Sequence, residues 1–306
     1  MYELRFTPDA AGFLATAGDR LARQPVLSTV IATIADRAVA EDAEGIQRDP
    51  DRPWWFVTIV DHVGLVDHAR DVDHDGEIVG TAMRTAPGPD HALWVTEMPP
   101  EAAVQLAHAL HDRGEFAGAM NGSLPATRLM AEESARLWGK RAEIRSHTRL
   151  YELDTLTPPV GVGGTLRAAV PADLELLNNW LTIFGAEAAE QGDRPAPELV
   201  EHDRDETSRR IRDGRLWVWE VDGRPVHVTG ANLPSLGVAR IGPVLTPKEY
   251  RGHGYAAAAV AGVSRRLLDL DARVCLFTDQ ANPVSNKLYQ RLGYRPVVDM
   301  ANFGLS

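Results

Sequence analysis

Between Ile241 and Tyr294 the order of residue types leaves few folds open. An apolar run, Ile241-Gly242-Pro243-Val244-Leu245-Thr246, ends at a turn at Pro247. A glycine-rich loop follows, Arg251-Gly252-His253-Gly254-Tyr255-Ala256, and then an alanine-rich helical segment. A β-rich run from Arg273 to Thr278 leads into Asn282-Pro283-Val284-Ser285-Asn286-Lys287-Leu288-Tyr289. The predicted order is strand, loop, helix, strand, helix. Such an order points backbone N–H groups and a helix N-terminus at an anion.

A chain of 306 residues exceeds one ordinary domain, and its clearest break is Thr157-Pro158-Pro159-Val160-Gly161-Val162-Gly163-Gly164. Prolines stiffen the start of that segment and glycines loosen its end, so the expected division is 1–156, a linker at 157–164, and 165–306. In the first part, residues 8–20 and 26–41 read as helices, and Trp54–Val60, Glu77–Thr85 and Ala92–Met98 as strands. Pro99-Pro100 opens a helix to about Arg113, Phe116–Met120 is a short strand, and Asn121-Gly122 reads as a turn. A helix from Pro125 to Lys140 and a strand from Ile144 to Leu153 complete this part.

The second part starts with a strand at Thr165–Ala168 and a helix capped at Pro171-Ala172-Asp173, along which Leu174, Leu177, Leu181 and Phe184 recur at helical spacing. Gln191–Pro197 reads as loop and Leu199–Arg212 as a solvated helix. Leu216–Val221 and Pro225–Asn232 pair across Asp222-Gly223, and Val238–Thr246 is the strand entering the glycine loop. Each part thus reads helices, three strands, helix, strand, helix, strand. A duplicated α/β fold is expected. In the first copy, Met98-Pro99-Pro100-Glu101 stands where the second has its glycine loop, without glycine or a basic residue.

Composition sets limits. A formal net charge of −11 disfavours sequence-independent binding to nucleic acid and to anionic membranes, and an acidic rim suits amines. No apolar run reaches the roughly 18 residues of a transmembrane helix, and no basic-then-apolar leader opens the chain. A cytoplasmic protein, monomer or homodimer, is expected. The lone Cys275 sits inside a strand and reads as a buried thiol. Asp71-Val72-Asp73-His74-Asp75-Gly76 begins like an EF-hand loop, but its twelfth position is Ala82 where a bidentate glutamate is needed. It reads as a polar hairpin, with His62, His68 and His74 nearby and no metal site expected.

Gly252-His253-Gly254-Tyr255-Ala256-Ala257 also fits the dinucleotide fingerprint G-x-G-x-x-G/A, with Asp279 ending the next strand. In that fold the first glycine follows its strand directly, whereas here Pro247–Arg251 intervene, and only 27 residues follow Asp279. The other parsing takes Arg251, Gly254 and Ala256 as R-x-x-G-x-A. Together with the Thr246-Pro247 strand exit and Asn282-Pro283-x-Ser285-Asn286-x-x-Tyr289-x-x-x-Gly293-Tyr294, it resembles the GNAT superfamily of N-acetyltransferases. Leu166-Arg167-Ala168 and Asp173-Leu174 look like that family's first strand and helix, so the resemblance covers about 164–304. It makes the first part a degenerate GNAT-like copy, as in tandem members.

The resemblance implies two domains, each a mixed, mostly antiparallel sheet flanked by helices, with acetyl-coenzyme A as co-substrate and no metal. Arg251, Gly252, His253, Gly254, Tyr255, Ala256 and Ala257 would cradle the pyrophosphate, where small residues let backbone approach closely. Backbone groups of Val244, Leu245 and Thr246 would bind the pantetheine arm and polarise the thioester, an oxyanion-type contribution of roughly 3–4 kcal/mol. Asn282, Ser285 and Asn286 would cap the last helix or contact the cofactor. Tyr289 would be the acid that meets the departing thiolate. The strand Val238–Thr246 carries no carboxylate, so Glu220, His227, or a water held by Thr229 or Asn232 are the candidate bases, with Glu220 put forward. The implied function is direct acetyl transfer to the amine of a small molecule or peptide; the alternative is a non-catalytic acyl-coenzyme A sensor or scaffold. Trp180, Phe184, Trp217 and Trp219 are candidates for the acceptor pocket, with core packing as the competing role.

Overall fold

The computed structural model describes residues 2–46, 54–62, 76–85, 92–195 and 198–306. The chain separates into two compact units, Met1–Thr148 with Val298–Ser306, and Arg149–Val297.

The first unit contains β1 (Tyr2–Thr7), α1 (Ala10–Arg23), α2 (Thr29–Ala43), β2 (Trp55–Asp61), β3 (Glu77–Arg84) and β4 (Leu93–Val95). It continues through α3 (Pro100–Asp112), β5 (Ala119–Ser123) and α4 (Ala126–Trp138) into the start of β6 (Ala142–Leu153), whose residues from Arg149 on belong to the second unit. β1, β2, β3 and β4 pair antiparallel in sequence order, and β4 pairs parallel with β5. β1 was not foreseen, although Tyr2-Glu3-Leu4-Arg5-Phe6 alternates apolar and charged residues as a strand does.

Asn121-Gly122, expected as a turn, lies inside β5, and the reason is local crowding. A Cβ on Gly122 would fall 1.9 Å from the Val95 carbonyl oxygen, so glycine there permits the close approach of β4 and β5. One face of this sheet packs on α3 and α4 through Leu93, Val95, Leu106, Met120 and Met130. Asp71–Asp75 of the EF-hand-like segment, with His68 and His74, lie outside the described residues; His62 Nε2 is 2.8 Å from Glu3.

The second unit repeats the order. It holds β7 (Thr165–Ala168), α5 (Leu174–Gln191), α6 (Arg204–Arg212), β8 (Leu216–Val221), β9 (Arg224–Ala231) and β10 (Val238–Leu245). Then come α7 (Tyr255–Leu268), β11 (Arg273–Asp279), α8 (Pro283–Leu292) and the start of β12 (Tyr294–Leu305). β7 to β10 pair antiparallel in succession, and β10 pairs parallel with β11. The two pairing schemes match step for step, and each is the mixed sheet flanked by helices that the sequence implied. α6 is shorter than expected and starts after Asp203, whose side chain accepts the Asp205 N–H as an N-cap.

The division between units differs from the one drawn at 157–164. Met300–Gly304 pair antiparallel with Ser123–Ala119 of β5, and Ala301, Phe303 and Leu305 are buried in the first unit's core. The end of the chain therefore counts with the first unit. No helix among the described residues is long and apolar enough to cross a membrane.

Candidate functional site

β10 and β11 set the site. They pair only from Val238↔Arg273 to Ile241↔Leu276, and beyond that β10 carries a register shift between Ile241 and Val244. Val244 and Leu245 remain paired with β9 on their other edge. Their β11-facing backbone groups are thus outside the ladder, where an extended ligand arm with amide groups can pair with them.

Past this opening lies a cavity of about 790 Å³ within the second unit, bounded by the end of β10, the glycine loop, the first turn of α7 and a face of α8. Val244, Leu245, Thr246, Arg251, Gly252, His253, Gly254, Tyr255, Ala256, Ala257, Ser285 and Tyr289 all line it. Gly252 and Gly254 adopt left-handed backbone at φ 84° and 82°, which lets the chain turn sharply into α7. Gly254 caps α7 without any side-chain bond, and the first intrahelical bond runs from Ala258 N to Gly254 O at 3.1 Å. The N–H groups of Tyr255, Ala256 and Ala257 are therefore free of intrahelical partners and carry the positive end of the helix dipole.

The loop's charged residue is held from within. Arg251 Nε donates to the Thr246 carbonyl at 3.0 Å, and its Nη2 donates to Glu187 of α5. Arg251 lines the cavity with its charge already matched, so the attraction for an anion rests chiefly on backbone. His253 stacks on Tyr255 at 5.2 Å between ring centroids.

Tyr289 is buried and lines the cavity, and its hydroxyl makes no hydrogen bond with the described residues. Burial raises its phenol pKa, so it stays a neutral donor at any working pH. Asn282 and Asn286 are placed otherwise. Asn282 Oδ1 accepts the Ser285 N–H at 3.0 Å as the N-cap of α8, and its Nδ2 donates to Gln191 Oε1 at 2.9 Å. Asn286 Nδ2 donates to the Asp279 and Asn282 carbonyls, while its Oδ1 accepts from the Tyr151 hydroxyl at 3.1 Å. These side chains hold the helix and its approach, and neither residue lines the cavity.

Glu220 is not brought to the cavity. Its carboxylate takes a hydrogen bond from Arg167 Nε at 2.6 Å, and the same guanidinium binds Asp173 at 2.7 Å. The pair sits on the β7–β8 edge, where Thr165 is the register partner of Glu220. Asn232 is likewise outside the lining. His227 is fully buried, with Nδ1 2.7 Å from Thr246 Oγ1 and Nε2 2.6 Å from Thr229 Oγ1. Burial depresses its pKa to about 3, which leaves it neutral and a poor base; it holds Thr246 at the strand exit. No carboxylate lines this cavity among the described residues.

Trp180 and Trp219 belong to the buried core and Phe184 and Trp217 pack against it; none lines the cavity. Cys275 is buried and forms no disulfide. Thr157, Pro158, Pro159 and Gln191 do line the cavity and were missed as site residues. The proline-rich run reads locally as a linker, and only the tertiary bond from Thr157 N to Leu292 O at 3.0 Å brings it there. Among the described residues no group of three or more His, Cys, Asp or Glu is placed to hold a metal ion.

Residues 178–294 match the family model described as Acetyltransferase (GNAT) family. A GCN5-related N-acetyltransferase from Sphaerobacter thermophilus aligns at 17% identity and TM-score 0.55, over 99% of this chain and 94% of that one. A tandem GNAT protein from the clavulanic acid biosynthesis pathway aligns at 15% identity and TM-score 0.54, over 99% and 98%. A Drosophila protein aligns at 11% identity and TM-score 0.62, over 98% of each chain. At such identities the likeness concerns the fold. No curated protein matches the chain.

Proposed function

Residues 178–294 belong to the GNAT family of acetyltransferases, and from that premise we propose that this chain moves an acetyl group from acetyl-coenzyme A to an amine. The observation that carries the reading is the single cavity face joining the free N–H groups of the α7 N-terminus, the unpaired edge of β10 and the hydroxyl of Tyr289. The pyrophosphate would sit on the helix N-terminus. The pantetheine arm would follow the β10 edge at Val244–Thr246, which brings the thioester toward Tyr289.

The neutral amine attacks the thioester carbonyl, forming the C–N bond, and the resulting oxyanion takes a hydrogen bond from β10 backbone. Collapse breaks the C–S bond. Tyr289 donates a hydrogen bond to the departing sulfur, and the ammonium proton leaves to solvent. A phenol raised above its ordinary value is a weaker acid than a thiol of pKa about 8.5, so Tyr289 stabilises the thiolate as a donor before bulk protonation. With no carboxylate on the cavity, the amine has to arrive neutral, and turnover should rise with pH toward the acceptor's pKa, about 10 for an alkylamine.

A second cavity in this unit, of about 470 Å³, is lined by Glu187, Glu190 and Asp193 with Arg194 and Lys248. Glu187 binds Arg251 and Glu190 binds Lys248, so this cleft adjoins the loop with two of its three carboxylates already paired. We take the enzyme to be cytoplasmic.

The test is release of free thiol from acetyl-coenzyme A across a panel of amines. At least one amine should give turnover, and Tyr289→Phe should lower it by roughly one to three orders of magnitude with acetyl-coenzyme A affinity retained. Equal turnover in Tyr289→Phe would remove the donor role. Tight binding without thiol release for any amine would favour the sensor reading.

A further inference from the structure

Along α8, the residues that line the large cavity of the second unit form one continuous arc of the helix surface. Taken at about 100° per residue, Tyr289 and Ser285 stand at one border of that arc and Lys287 and Arg291 at the other, with Leu288 and Val284 between them. The two cations are one helical turn apart and so project side by side. α8 carries no carboxylate, and among the described residues neither Lys287 nor Arg291 has a hydrogen-bond or ion-pair partner. Arg291 lies in the last turn, where a cation suits the helix dipole, but Lys287 lies before it and that reason does not extend to it.

The cations around the glycine loop are placed differently. Arg251 is paired with Glu187, and Lys248 with Glu190. Since no carboxylate lines the cavity among the described residues, its unmatched ammonium and guanidinium are those of α8. On that side Pro158 and Pro159 add an apolar wall, fixed by the bond from Thr157 N to the Leu292 carbonyl, one residue beyond Arg291.

We propose that Lys287 and Arg291 bind the 3′-phosphate of coenzyme A, so that the site selects the 3′-phosphorylated nucleotide over its dephosphorylated form. The inference rests on the acyl-transfer reading and sharpens it. Coenzyme A carries its charge in two places, a pyrophosphate and a separate phosphate monoester on the ribose. The N–H groups of Tyr255, Ala256 and Ala257 serve the first; two adjacent cations with several N–H donors serve the second. With Tyr289 at the opposite border of the arc, the nucleotide and thioester ends fall on opposite sides of one helix face, across Val284 and Leu288.

The probes are coenzyme A and 3′-dephospho-coenzyme A, titrated calorimetrically into the full chain. Wild type is expected to bind coenzyme A at least ~10-fold more tightly, by a ratio that shrinks as salt rises. Lys287→Gln and Arg291→Gln are exposed substitutions, and together they should weaken coenzyme A by at least ~10-fold while the dephosphorylated form stays within ~2-fold. Arg295→Gln removes an exposed cation just beyond α8 that does not line the cavity, and should leave the ratio unaltered. Equal affinity of wild type for both compounds would overturn the proposal and leave the coenzyme A site standing. A ratio that survives in the double variant, or that falls as far in Arg295→Gln, would also overturn it. Failure of both compounds to bind would remove the coenzyme A reading itself, and this proposal with it.

Discussion

Tyr289 and His227 are both buried, and burial moves them oppositely because it disfavours whichever form is charged. The phenol is raised and kept as a donor; the imidazole is depressed to about 3 and kept neutral between Thr246 and Thr229. For His227 the consequence is a pH-dependent stability. The unfolded chain takes up the histidine proton below about pH 6.5 and the folded one does not, so protons favour unfolding. This contribution to stability is complete above the unfolded pKa and declines as pH falls from about 6.5 toward 3. Between pH 8 and pH 5 the loss attributable to this group is about 2 kcal/mol. Denaturant melts of wild type and His227→Gln across that range should differ in slope, the variant being flatter. Parallel pH profiles would contradict the buried neutral imidazole.

At the scale of the element, α8 shows how far local sequence reaches. Its Asn282-Pro283 start and Gly293 end are written in the letters, and the helix runs between them as expected. What Asn282 and Asn286 do there was open from sequence, because capping and ligand binding use the same side-chain types. The geometry distinguishes them: Asn282 caps Ser285 and holds Gln191, so Asn282→Ala is expected to cost about 1 kcal/mol of stability. Coenzyme A affinity should then stay within a few-fold of wild type, and a loss of tenfold or more without a stability change would make Asn282 a cofactor ligand instead. The glycine loop was legible for a related reason, since a left-handed entry into a helix needs glycine whatever lies around it. Glu220 was misleading because its partner, Arg167, is 53 positions away, and the strand's letters carry no trace of that pairing. Thr157–Pro159 were hidden in the same way. A stretch that reads as a spacer becomes a wall of the site only through its bond to Leu292.

For the whole molecule, the repeat of strand, two helices, three strands, helix, strand, helix and strand was largely readable, since periodicity and turn signals act over short ranges. The assignment of the last residues was not. The Thr157–Gly164 segment has every local mark of a boundary, yet Val298–Ser306 completes the first unit beside β5. Burial of Ala301, Phe303 and Leu305 there is a matter of long-range pairing. Losing Phe303 alone is worth about 3–5 kcal/mol, comparable with a domain's entire stability of about 5–15 kcal/mol. Deleting 298–306 should therefore abolish the cooperative unfolding transition of the first unit, and residues 1–156 alone should be largely unfolded. A well-folded 1–156 fragment with a sharp melt would show that the C-terminal strand is dispensable.

Every functional statement about the second unit depends on the cavity at the α7 N-terminus being a coenzyme A site. Gly254 is the residue through which to test it, since its Cβ position is 3.2 Å from Val162 and it caps the helix whose N–H groups would meet the pyrophosphate. Calorimetric titration of acetyl-coenzyme A into wild type and Gly254→Glu, both checked for an unaltered melt, gives the most direct answer. The account predicts saturable binding to wild type at one site per chain and none to the variant. Equal binding to both proteins would contradict it.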